Sequence, residues 1–171
     1  MSLGKGVRVL TPKGAISPTG TWSLGARAGD FVFVAGMRGI NPANNRLVDG
    51  DEARVRQAFV NMKVIADSEG AGLEDCVRLT VFVTDMARLR PLVNKVQEEL
   101  WSGRPYPPRT IVEISALNQD DFFEVELTKK SINPPMPLGL AVSSGIHISA
   151  TGRPVPPNRM GFHGHRAIHR Q

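Results

Sequence analysis

Arg109 in the segment PPRT and Glu124 in FEVEL stand fifteen positions apart, and each adjoins a run that reads as extended. An arginine presents a planar fork that binds a carboxylate through two parallel hydrogen bonds, and a nearby carboxylate can orient a water molecule or take its proton. Such a pair could hydrolyse the imine of a small acid. The same spacing suits a salt bridge between strand ends, and the two residues alone do not separate these readings.

Other reactive side chains point less far. His163, His165 and His169 cluster near the C-terminus, but HGH lacks the second ligand pair of a zinc pattern, so no metal is expected. Cys76 opens an apolar run and reads as a small buried hydrophobe rather than a reactive thiol. Glu126 falls on the same side of a strand as Glu124 by period two, where it either assists or is solvated or paired with Arg78 or Lys129. Glu113 is given no role.

These residues must be positioned by the elements around them. Val7 to Leu10 and Trp22 to Ala28 read as short strands, and FVFVA at 31 to 35, apolar on both faces, as a central buried strand. After a Gly- and Asn-rich loop, Asp51 is the expected N-cap of a helix from Glu52 to about Glu69, with Val55, Phe59, Met62 and Ala66 on one face. Gly70 and Gly72 are natural stops for it. Val77, Leu79, Val81 and Val83 alternate as a strand's inner face. Leu89, Leu92, Val93, Val96 and Leu100 mark a second helix, with Pro91 expected in its first turn and its end near Trp101. RTIVEIS and DFFEVELTK then read as two strands joined in a hairpin that carries Arg109 and Glu124. The order β-β-β-α-β-α-β-β supplies two helices for five or six strands. One sheet face should be helix-covered and the other buried by self-association.

The 171 residues suit one domain with an appendage. Residues 1 to 131 hold 17 of the 21 basic and all 16 acidic side chains, a net charge of +1. Residues 132 to 171 hold four arginines, no acid, six of the 13 prolines and all four histidines. The body at 1–131 therefore lacks the basic surplus of a nucleic-acid binder, and nucleic acid is not an expected partner. The stretch 132–171 reads as an extension, draped or disordered, in which only 146 to 150 alternates like a short edge strand. No apolar run approaches a membrane span or a signal peptide, and one cysteine suits a reducing compartment, so a soluble, cytoplasmic protein is expected.

Across about residues 15 to 130 the sequence resembles the Rid family, the YjgF-type reactive-intermediate deaminases, also called the endoribonuclease L-PSP family. Gly20-Thr21-Trp22-Ser23 is similar to the family's glycine-proline-tyrosine-serine segment. RAGDFVFVAG, LTVFVTDM with the following Asn94, PPRTIVEI and FEVEL appear in the family's order. The resemblance implies an α+β, chorismate-mutase-like fold: a mixed sheet of five or six strands with two helices on one face. Three copies would assemble with their sheets inward and clefts between neighbours. It also implies hydrolysis of unstable enamines and imines to 2-oxo acids and ammonia, without metal or cofactor. Arg109 would clamp the substrate carboxylate and Glu124 would position water and relay a proton, with Trp22, Ala35, Gly36, Asn94 and Ile111 lining the substrate site.

Trp22 stands where tyrosine is usual in the family, Ala35 where serine is, Met37 for a frequent glutamine, and Ile111 where some members have cysteine. The implied pocket is more apolar, which suits either a bulkier conjugated substrate of the aminomuconate kind or ordinary divergence between subfamilies. The alternatives are a ligand-binding or regulatory trimer without turnover, and the RNA-cleaving or translation-inhibiting activity assigned to some relatives.

Overall fold

The computed structural model describes residues 2–70 and 72–131. The expectations for 132–171, including the edge strand at 146 to 150 and the histidine cluster, lie outside the described residues. Nine strands and two helices follow in order: β1 Ser2–Gly4, β2 Val7–Leu10, β3 Gly25–Ala28, β4 Phe31–Met37, β5 Ile40–Asn41, β6 Arg46–Leu47, α1 Asp51–Asp67, β7 Cys76–Val83, α2 Met86–Leu100, β8 Arg109–Glu113 and β9 Phe123–Lys130. Seven of the strands form one mixed sheet in the order β1-β2-β3-β4-β9-β7-β8, one strand more than expected because of β1, while β5 and β6 form a separate small hairpin.

Alternation along β7 and β9 divides the sheet into two unlike faces. Leu79, Val81, Val83, Phe123, Val125 and Leu127 are buried against the helices, and the Phe59 ring of α1 lies 5.9 Å from that of Phe123. Val55, Ala58, Phe59, Met62, Ile65 and Ala66 complete the α1 side of this core. Each large side chain removed from water there contributes roughly 1.5–3 kcal/mol. Asn61 is buried among them because its amide donates to the carbonyls of Arg38 and Ile40, at 2.9 and 2.7 Å, where the chain leaves β4.

Among the described residues the second face carries no helix. Phe31 and Phe33 on β4 are 43% and 46% exposed while Val32 and Val34 are buried. The run FVFVA, expected to be buried on both sides, is therefore covered on one side only by the described residues.

Three local expectations are corrected. Strand β3 starts at Gly25, so Trp22 precedes it. The cap of α1 is Gly50, at φ 84° and without a side-chain bond, and Asp51 is already helical, where its charge and that of Glu52 favour the positive end of the helix. Helix α2 begins five residues before Pro91, so the proline lies inside it.

The correction with most consequence concerns β8 and β9. They are not a hairpin: β7 lies between them, parallel to β8 and antiparallel to β9. Helix α2 is the crossover that makes β7 and β8 parallel, as a parallel pair requires.

The start of α2 is set by Asp85, whose carboxylate accepts the Arg88 N–H at 2.9 Å. Asp85→Ala should cost about 1 kcal/mol of stability in a urea melt. No loss would mean that the helix starts further along, at the proline.

Candidate functional site

Arg109 is the first residue of β8 and faces α2. Its Nη1 donates to Oε1 of Gln97 at 2.6 Å and its Nη2 to Oδ1 of Asn94 at 2.8 Å. Both partners are neutral amides, so they fix the direction of the guanidinium without cancelling its charge. Partial burial and the nearby charge of Arg90 pull the Arg109 pKa below its usual value. The side chain remains a cation, one that gains by receiving an anion. Beside it lies an open cleft of about 470 Å³ lined by Asn94, Gln97, Glu98, Tyr106, Pro107 and Arg109.

Gln97 was not singled out by sequence reasoning. It is 5% exposed on the otherwise apolar stripe of Val93, Val96 and Leu100. A polar residue within a helix's buried stripe, one turn from Asn94, was the available signal, since a buried amide needs a partner.

Glu124 is built differently. It alternates with the core residues Phe123 and Val125 and so lies on the helix-free face, directly across from Phe82 on β7. Its carboxyl group lies over the backbone of Gly36, where an added Cβ would fall 2.1 Å from Oε1. That approach is made by a β-bulge: Val34 pairs with Leu127 and Met37 with Val125, so β4 holds one more residue than β9 across the interval containing Ala35 and Gly36. Burial raises the Glu124 pKa, Arg38 pulls it back, and Glu126 and Asp121 add to the rise. Glu126 faces Thr80 one pair further along the same face.

The turn into β9 is held by buried charges. Asp121, fully buried, has Arg54 at 3.4 Å and Arg38 at 3.7 Å, and Arg38 also donates to the Asn118 carbonyl at 2.7 Å and to Gln119 Oε1 at 2.9 Å. Among the described residues Oδ2 of Asp121 makes no hydrogen bond and has only the Arg38 guanidinium at ion-pair distance.

The structure thus gathers the expected site residues into two groups. Arg109 and Asn94 meet in the cleft beside α2, and Ile111, two residues along β8, shares the helix-facing side and packs against the core. Glu124 and Gly36 meet on the other face with Ala35 beside them, the Ala35 N–H bonded to the Leu24 carbonyl at 3.0 Å. Trp22, 36% exposed, lies in the segment before β3. Within one chain Arg109 and Glu124 are two strands apart and three pairs out of register, roughly 14 Å between backbones, on opposite faces. A single chain does not bring the two together.

The remaining candidates have other occupations. Burial pushes the Cys76 thiol up to about 12, so it stays protonated and unreactive. Glu113 accepts the Met86 N–H at 2.6 Å, at the start of α2. No helix among the described residues is long and apolar enough to cross a membrane.

Residues 12–129 match the family described as Endoribonuclease L-PSP. The solved structure of a probable translation initiation inhibitor from Rhodopseudomonas palustris is 51% identical, with a TM-score of 0.71 over 73% of this chain and 98% of its own. That of RidA from the Antarctic bacterium Psychrobacter is 29% identical, with a TM-score of 0.68 over 72% and 98%. A relative from Dermatophagoides farinae named 2-iminobutanoate/2-iminopropanoate deaminase is 31% identical over 122 residues, 70% of this chain and 92% of its own.

Two expectations follow from the seat of Glu124. Gly36→Ala should destabilise the protein by about 1 to 3 kcal/mol in denaturant titration, because the new methyl meets the carboxyl group. The same change in a Glu124→Ala background should cost much less, and equal costs would place the carboxyl elsewhere. Because the folded carboxyl is harder to ionise than the unfolded one, the native state keeps the proton in the window just above the ordinary glutamate pKa. Stability falls as pH rises through that window. Glu124→Gln should therefore gain on the wild type across it in urea melts at stepped pH, and a constant difference would contradict the raised pKa.

Proposed function

The chain belongs to the Endoribonuclease L-PSP family, which also holds the RidA proteins, and on that premise we propose that it is a hydrolytic deaminase of reactive imines and enamines. The family includes imine deaminases, as the name of the Dermatophagoides relative states. The observation that carries the reading is the Arg109 guanidinium held by two neutral amides at the edge of an open cleft, a fork prepared for a carboxylate that the protein itself does not supply.

In this reading three copies assemble with their helix-free faces inward, covering Phe31, Phe33 and Val112. The interface brings Arg109 of one subunit toward Glu124 of its neighbour. The separation of the two residues within one chain supports this arrangement, because only a second copy can unite them. Arg109 holds the carboxylate of a 2-imino acid through charge-assisted bonds. Glu124, made more basic by burial, takes a proton from water as the oxygen adds to the imine carbon. The carbinolamine then collapses: the protonated Glu124 gives its proton to the nitrogen, the C–N bond breaks as the hydroxyl oxygen forms the carbonyl and returns its proton to Glu124, and ammonia leaves a 2-oxo acid. The chemistry asks for no metal or cofactor. Trp22 and the apolar Ala35 and Ile111 suit a bulkier, conjugated acid of the aminomuconate kind as well as 2-iminobutyrate.

A second reading rests on Ala35 and Ile111, which present no hydroxyl or thiol where relatives often do: a trimer that binds 2-oxo acids without turnover. RNA cleavage stands behind both, since residues 1–131 carry a net charge of only +1.

Ammonia release from freshly generated 2-iminobutyrate separates them. Wild type should accelerate it, Glu124→Ala should lower kcat about a hundredfold or more, and Arg109→Ala should lower kcat/KM roughly 10- to 100-fold, chiefly through KM. Equal rates in all three would refute the deaminase. Binding of 2-oxobutyrate without turnover would favour the second reading.

A further inference from the structure

A second cleft, of about 600 Å³, opens on the N-terminal side of Asn94 and is lined by Met86, Ala87, Arg90, Pro91, Asn94 and Glu113. Asn94 is the wall shared with the Arg109 cleft, and its Oδ1 is the atom that holds Arg109 Nη2. Arg90 lies one turn before Asn94 on α2, a spacing that sets the two side chains about 6 Å apart at Cβ on one face of the helix.

Arg90 is exposed, and among the described residues it has no ion pair or hydrogen bond. Its neighbours on the helices are otherwise occupied: Arg88 bonds Asp51 and Asp85, Arg56 bonds Glu52 and Glu99, and Lys95 bonds Glu52. The acid on the opposite wall, Glu113, is engaged by the Met86 N–H. Arg109 is held by amides rather than by an acid. Two guanidinium groups therefore flank Asn94, neither of them paired with the glutamate that lines its cleft, Glu113 or Glu98, and close enough that the charge of Arg90 disfavours that of Arg109. A monocarboxylate bound to Arg109 relieves half of this arrangement.

We infer that Arg90 is a specificity-determining residue, and that its cleft receives the distal carboxylate of a short dicarboxylic imine whose proximal carboxylate lies on Arg109. This rests on the deaminase reading and narrows its substrate class to imino diacids a few carbons long. The bond changes are those of imine hydrolysis already given, since the distal group takes no part in them.

The test compares full-length wild type, Arg90→Gln and Arg90→Lys on 2-iminoglutarate and 2-iminobutyrate, each generated in the assay from its amino acid by an oxidase. In wild type kcat/KM should favour the diacid. In Arg90→Gln the diacid-to-monoacid ratio should fall about fivefold, the worth of one exposed charge pair, through KM rather than kcat, and Arg90→Lys should restore most of it. An unchanged ratio, or a loss shared equally by both substrates, overturns the inference and leaves the deaminase intact. If neither imine is hydrolysed the deaminase reading fails. Calorimetry then decides the subsite alone: 2-oxoglutarate binding more tightly than 2-oxobutyrate in wild type but not in Arg90→Gln sustains it, and equal binding overturns it.

Discussion

The Arg109 guanidinium, pinned by the amide oxygens of Gln97 and Asn94, is the interaction from which the rest of the molecule is best understood. An acid in either amide position would have made a salt bridge and closed the site to an anionic ligand. Neutral partners give direction while leaving the charge unspent. For those amides to meet the guanidinium, α2 must lie along β8 in one register. Asp85 at its start and the apolar row of Leu89, Val93 and Val96 underneath fix that register. The parallel pairing of β7 with β8 then sets Arg109 beside Leu79 at the sheet edge, where a cleft can open.

The other half of the constellation obeys a different constraint. Glu124 lies on a face that the described residues leave without a helix, pressed against backbone that only a glycine in a bulge lets so near. The buried group of Asp121, Arg38 and Arg54 stiffens the turn that delivers it. Burial without a paired cation in direct contact makes this carboxyl a stronger base than an ordinary glutamate. A cation awaiting an anion and a base awaiting a proton occupy opposite faces of one sheet. That division is economical only if a second copy presents the missing face.

Much of the architecture was legible in the sequence because periodicity reports burial directly. The alternation at 77 to 83 and the helical stripes of α1 and α2 correspond to observed elements, as do the FEVEL strand and Cys76 at the entrance of β7. What misled was adjacency. RTIVE and FEVEL are neighbours in the chain and read as a hairpin, yet β7, contributed from before α2, inserts between them. Strand order is a tertiary outcome that local pattern does not encode. Pro91 misled similarly: its missing N–H is tolerated inside α2, and an aspartate six residues earlier does the capping. Phe31 and Phe33 read as core because apolarity alone does not tell which face the fold covers, and both are exposed. Arg109 and Glu124 stood out by type, but Gln97, which aims the arginine, was hidden among apolar neighbours.

Subunit mixing tests the shared site most directly. Arg109→Ala and Glu124→Ala proteins, each strongly impaired alone at substrate well below the wild-type KM, would be unfolded together in equal amounts, refolded, and assayed for imine hydrolysis at that concentration. If each site takes its arginine from one subunit and its glutamate from the next, every mixed trimer regains one intact site in three, and about a quarter of wild-type activity should return. Refolded mixtures that stay as inactive as the separate variants, in the presence of demonstrated mixed assemblies, would show that the two residues do not meet across subunits.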